Sequence, residues 1–249
     1  VISRQATIEG YFSITLKMLA CAILGVLYPM SILPLNVEII RPINSGYFGT
    51  VYLGRIAAEA SCTEQDLPAA LCGEIIVKIP RHNTNFTRAV LQHEEAISAI
   101  LAEQDDTGLF ARYYFDSELG ALLTTYDKHL VALEACLKSK CIRKKNIKGI
   151  FAQLDAAFNV LMTCHLVHSD LHLNNILYNQ KTGKILVIDY GLACYLGKCH
   201  TVCEQFQACG CRWGGKYKSS NQAQDQTAAY QDDKHAIECI KKEIINTIS

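Results

Sequence analysis

Three side chains define the chemistry this sequence can offer: Asp170, Asn175 and Asp189. Asp170 and Asn175 stand five residues apart in Val167-His168-Ser169-Asp170-Leu171-His172-Leu173-Asn174-Asn175-Ile176-Leu177, and Asp189-Tyr190-Gly191 begins fourteen residues after Asn175. Two short apolar runs lie between them, split by Asn179-Gln180-Lys181-Thr182-Gly183, a turn composition. The pattern is a loop bearing an acid and an amide, feeding a hairpin that ends on a second acid. A carboxylate can accept a hydroxyl proton, and an amide oxygen with a second carboxylate forms the hard donor set that magnesium takes. One lysine, Lys78, sits inside the apolar run Glu74-Ile75-Ile76-Val77-Lys78-Ile79-Pro80. Burying its charge is costly unless an anion meets it; the alternative is an edge-strand lysine facing water.

Asp170-Leu171-x-x-x-Asn175 followed by Asp189-Tyr190-Gly191 resembles the His-Arg-Asp-Leu-x-x-x-Asn and Asp-Phe-Gly segments of the protein-kinase superfamily. Upstream, Asn44-Ser45-Gly46-Tyr47-Phe48-Gly49-Thr50-Val51 is similar to that family's glycine-rich loop, with Asn44 where the first glycine stands. Asparagine tolerates unusual backbone angles, so the departure is mild. The resemblance implies a two-lobed α+β fold, with a β-rich N-lobe, a shortened helical C-lobe, and ATP and Mg2+ as cofactors. Asp170 would then be the catalytic base, and Asn175 and Asp189 the magnesium ligands. Lys78 would pair the nucleotide phosphates, held by Glu94, with Glu95 as the fallback. Asn44, Gly46, Phe48, Gly49 and Val51 would cover the nucleotide, Phe48 capping the loop tip. Thr124 would guard the back of the pocket, Tyr126 would lie in the hinge, and Leu177 would complete the nucleotide site.

Two departures bear on the acceptor. Ser169 replaces the arginine that reads a phosphorylated activation loop in many relatives, which argues against regulation by that route. His172 replaces the lysine common two residues after the catalytic acid in Ser/Thr kinases. Asp170-Leu171-His172 is also similar to aminoglycoside and choline phosphotransferases, whereas the Phe48 and Val51 loop is more like protein kinases. The leading expectation is therefore a Ser/Thr protein kinase acting on a protein hydroxyl. A small-molecule kinase comes second, and a non-catalytic nucleotide-binding pseudokinase third.

These residues need elements to carry them. Asn36–Ile43 and Val51–Ala57 read as strands around the glycine-rich turn, and Glu74–Pro80 as a buried strand. Thr87–Ala102 has helical periodicity, with Glu94 beside the stripe of Val90, Leu91, Ile97, Ile100 and Leu101. Leu109–Asp116 and Ala121–Thr125 form a hairpin, and Leu130–Leu137, Ile147–His165 and Ala228–Ile248 are helical. In the last, Asp232 or Asp233 would anchor the catalytic loop from beneath. The expected division is an N-terminal helical extension (1–35), an N-lobe (36–126) and a C-lobe (127–249).

Half of the 249 residues are hydrophobic, and 24 basic residues balance 24 acidic ones. A sizeable core is expected, and a broad nucleic-acid-binding face is not. The uncharged stretch 18–37 is interrupted by Pro29 and Pro34, so a core helix is expected there rather than a membrane span. Twelve cysteines are scattered over a long apolar chain and most read as buried thiols, and the nucleotide chemistry that the resemblance implies points to a reducing, cytoplasmic setting. Cys194, Cys199, Cys203, Cys209 and Cys211 with His200 could hold a structural zinc, but their spacing is not that of paired knuckles, and free thiols are the leading reading. Only 58 residues follow Gly191, so the C-lobe is minimal or the chain truncated.

Overall fold

The computed structural model describes residues 37–46, 48–56, 71, 73–82, 84–196 and 230–248. The expected extension over 1–35 and all the proposed zinc ligands except Cys194 lie outside them. Cys194 is buried in a short strand.

Five antiparallel strands form the upper sheet in the order β1-β2-β3-β5-β4. They are β1 (Val37–Ser45), β2 (Gly49–Ile56), β3 (Glu74–Pro80), β4 (Tyr114–Asp116) and β5 (Ala121–Thr125). Alternation along β3 decides what the site receives. Ile75 and Val77 turn into a core cluster with Val37, Leu71, Ala121 and Leu123, so Lys78 takes the opposite face. The register places Val51 and Leu122 directly across from Lys78, and Thr124 across from Ile76, on that same face.

Against the sheet lies α1 (Asn85–Gln104). Its first turn is closed by a reciprocal cap: Thr84 Oγ1 accepts from the Thr87 amide, and Thr87 Oγ1 accepts from the Thr84 amide. The helix buries Val90, Leu91, Glu94, Ile97, Ser98 and Leu101, so Glu94 is the one charged group in a mostly apolar stripe.

The lower half begins with β6 (Leu130–Ala132), α2 (Leu133–Lys138) and a 3-10 turn (Lys144–Asn146). It continues through α3 (Ile147–Thr163), β7 (Leu166–Val167), β8 (Ile176–Asn179), β9 (Ile185–Val187) and β10 (Cys194–Tyr195) to α4 (Tyr230–Ile248). Its core runs from Leu91 and Leu101 through Ile150, Leu154 and Leu161 to Ile237, Ile240 and Ile244. The β8–β9 hairpin crosses it, with β6 along its outer edge. Together the halves make a two-lobed α+β fold, β-rich above and helical below.

Several boundaries differ from the sequence reading; α1 begins two residues earlier and ends two later than expected, and α3 ends at Thr163. β1 runs on to Ser45, so Asn44 pairs with Val51 inside the ladder and the turn shortens to the residues between Ser45 and Gly49. Leu109–Asp116 is a strand only from Tyr114. Before it, the Asp105 carboxylate accepts from the amides of Thr107, Leu109 and Phe110, which organises a turn in place of a ladder. Leu130–Leu137 is not one helix, because Leu130–Ala132 pair with β8; a three-residue apolar run has no period to betray it. β2 begins at Gly49, two residues earlier than expected.

Candidate active site

The two halves meet at Lys78. Its Nζ lies 2.7 Å from Glu94 Oε2 and 2.9 Å from Asp189 Oδ1, joining β3, α1 and the segment after β9. Burial opposes the lysine charge, but the two carboxylates outweigh it and raise its pKa above the usual range. Glu94 is fully buried, and burial pushes its carboxyl up to about 7 against the pull of Lys78. Burial pushes Asp189 the same way; there the lysine prevails and its pKa falls below the ordinary carboxylate value. One ammonium between two carboxylates leaves the cluster short of positive charge. The opening is on the Asp189 side, whose side chain is 39% exposed against 0% for Glu94.

Asp170 and Asn175 stand on the loop between β7 and β8. The Asn175 amide nitrogen donates to the Asp170 carbonyl (2.9 Å) and to Asp170 Oδ2 (3.3 Å), which commits the nitrogen and keeps its oxygen as a ligand atom. The Ile188 amide donates to the Asn175 carbonyl (3.0 Å), tying this loop to the residue before Asp189. Asn175 and Asp189 could thus supply hard oxygens of the kind magnesium prefers, beside a cluster lacking positive charge, and their chemistry fits that ion.

The loop keeps its shape by spending backbone strain. Ser169 (φ 67°) and Asp189 (φ 68°) are both left-handed, a conformation costing about 1–3 kcal/mol for such residues. From beneath, the buried Asp233 carboxylate of α4 accepts from the amides of His168 (2.7 Å) and Ser169 (3.1 Å), holding the first of these turns. Burial pushes Asp233 up to about 7. The Asp189 amide donates to Tyr113 Oη at 3.3 Å. Tyr190 packs edge-on between Tyr113 and His168, with ring centroids 5.5 and 5.7 Å away, and donates its hydroxyl to the Val187 carbonyl (2.6 Å). His93 Nε2 donates to the Ala193 carbonyl (2.7 Å), linking α1 to the chain beyond Gly191.

The remaining expected residues are placed as follows. Val51 shares the face of Lys78, and Thr124 donates its hydroxyl to the Arg112 carbonyl (2.7 Å). Leu177 lies on β8 between Ala132 and Leu186 in register, on the side opposite buried Ile176 and Tyr178. The Tyr126 amide reaches the Glu74 carbonyl at 3.4 Å. The Gly46 amide closes its own turn on the Gly49 carbonyl (2.8 Å). Phe48 packs inward with Val90, Phe86 and Leu192 instead of standing at the loop tip. Asn44 Oδ1 accepts from the next amide, Ser45 (2.8 Å). Ser169 turns its hydroxyl inward to Cys194 Sγ (3.4 Å), and His172 Nε2 stands 3.7 Å from Asp170 Oδ2.

Sequence reasoning missed His93 and Tyr113. The first adjoins Glu94 in an unremarkable helix, and the second is one of four aromatic residues between Leu109 and Asp116. Neither carries a spacing signal.

Residues 90–243 match the family model described as protein kinase domain. A "non-specific serine/threonine protein kinase" of Drosophila melanogaster is 26% identical over 155 residues, covering 61% of this chain and 21% of that protein. "Probable serine/threonine-protein kinase fhkB" of Dictyostelium discoideum is 39% identical over 66 residues, covering 26% of this chain and 6% of that one. The chain therefore spans about a fifth or less of these curated relatives. Among solved structures, the Cydia pomonella granulovirus kinase PK-1 is similar in fold, with a TM-score of 0.58 and 19% identity over 85% of this chain and 69% of that chain.

Proposed function

The chain belongs to the protein kinase domain family, and from that premise we propose that it transfers the γ-phosphate of ATP to a serine or threonine hydroxyl of a protein. The observation that carries this reading is the Lys78 ammonium between Glu94 and Asp189, which joins both lobes at one point. Phosphoryl transfer needs positioning and charge neutralisation more than covalent help. Lys78 supplies the first cation and meets the nucleotide phosphates. Asn175 and Asp189 would hold magnesium, which would supply charge neutralisation at the phosphates. Asp170 orients the acceptor hydroxyl and takes its proton, with Asn175 fixing the carboxylate by the 3.3 Å contact to Oδ2. Val51 and Leu177 would enclose the adenine from above and below, and the backbone around Tyr126 would meet its edge. An ATP-supplied, reducing cytoplasm suits this chemistry. Among the described residues, no helix is long and apolar enough to cross a membrane.

The test is magnesium-dependent transfer of labelled γ-phosphate to protein acceptors from a cell lysate. The expected result is labelling that Asp170→Ala reduces by a factor of 10² or more; equal labelling by that variant contradicts the assignment. Asp170-Leu171-His172, with the imidazole 3.7 Å from the proposed base, favours the second reading of a small-alcohol acceptor. Label found only in aminoglycosides or choline would establish that reading instead.

A further inference from the structure

The end of α2, the connection that follows and the first turn of α3 carry Lys138, Lys140, Arg143, Lys144, Lys145 and Lys148, all exposed. The sequence has no acid between Glu134 and Asp155, and Glu134 bridges Lys138 at 2.7 Å. The tip of the β8–β9 hairpin adds two more exposed cations, Lys181 and Lys184. Side-chain bonds hold tip and connection together. Gln153 donates to the Gly183 carbonyl (3.0 Å) and accepts from the Ile185 amide (2.9 Å), while Asn146 donates to Tyr178 Oη (2.7 Å). Eight exposed cations thus lie on one strip of chain, two segments that these bonds join.

Charge balance narrows the partner. The other 16 Lys and Arg residues face all 24 Asp and Glu residues, so the chain outside the strip has an excess of eight negative charges. A long polyanion or an anionic bilayer reaching beyond the strip would meet that excess; a short acidic segment would not. Neither stretch, 138–148 nor 180–184, contains an aromatic residue on which a base could stack. The strip also lies on the hairpin that ends at the site: Lys184 precedes Asp189 by five residues, about 16 Å at a strand rise of roughly 3.3 Å per residue.

We propose that this strip docks an acidic segment of the protein substrate, at least about five extended residues from the acceptor hydroxyl. The proposal rests on the kinase reading but can fail separately from it, because docking is measurable without transfer. The probe is a fluorescein-labelled ten-glutamate peptide with no hydroxyl side chain, read by anisotropy. Wild type should bind it, more weakly as salt rises from 50 to 300 mM. K145E/K148E and K181E/K184E should each weaken binding at least tenfold, whereas the control K234E/K242E, with the same charge change on α4, should not. Unchanged binding in the strip variants, or an equal loss in the control, overturns the proposal. So does tighter binding to a 20-base-pair duplex or to phosphatidylserine vesicles. In transfer assays, a serine peptide with an acidic tail should show a KM at least fivefold below that of a neutral-tailed one, and K145E/K148E should erase the difference without changing kcat on the neutral peptide. Peptide binding through the strip with no transfer to either peptide would remove the kinase reading and the substrate role together.

Discussion

At the residue scale, Lys78 joins two carboxylates of unequal burial, and removing it exposes the imbalance. Lys78→Met leaves Glu94 fully buried without its cation, a loss of about 3–5 kcal/mol for a broken buried pair when the acid is ionised. Glu94 can escape that cost by taking a proton, since burial already holds its carboxyl near 7. Lys78→Met should therefore be more destabilised relative to wild type at pH 8 than at pH 6, which urea denaturation at the two pH values will show. Asp233 provides a second pH effect. Its folded pKa of about 7 stands above the unfolded value of 3.8, so the folded chain binds the extra proton and stability from this group falls as pH rises from 4 to 7. Asp233→Asn should flatten that slope between pH 5 and pH 7.5. It should also lower transfer activity, because the amides of His168 and Ser169 then share one acceptor oxygen. An unaltered slope would mean that Asp233 is ionised across the whole range.

At the element scale, β2 and β3 approach closely because residue 49 lacks a side chain. A Cβ there would meet the Ile79 carbonyl oxygen at 2.6 Å, backbone that cannot swing aside. Gly49→Ala should cost about 1–3 kcal/mol by overpacking and raise the KM for ATP, measured by thermal unfolding and steady-state kinetics. This glycine was legible as a loop residue, yet the sheet itself also requires it. Lys78 and Glu94 were legible because each interrupts an apolar pattern of known period, the strand's alternation and the helix's stripe. The anchoring acid of α4 was legible only as Asp232 or Asp233, since both are buried in the first helical turn and only the hydrogen bonds distinguish them. β6 and the Asp105 turn were not legible. Both depend on partners far along the chain or on side-chain capping, which local periodicity does not record.

At the scale of the whole molecule, the upper sheet and the lower core are joined at the site by α1, which carries Glu94 and His93 side by side. A nucleotide that satisfies Lys78 and Asp189 together should clamp the halves. Saturating Mg·ATP, at about 100 times its Kd, should stabilise the fold by roughly 2.7 kcal/mol, a rise in Tm of about 5–11 °C for a chain this size. The most direct test of the convergence on one magnesium–nucleotide unit is calorimetric titration of ATP with and without Mg2+, using wild type and Asp189→Asn. Tightening by magnesium of tenfold or more in wild type, lost in Asp189→Asn, is the predicted result; affinity in wild type that ignores magnesium would contradict it.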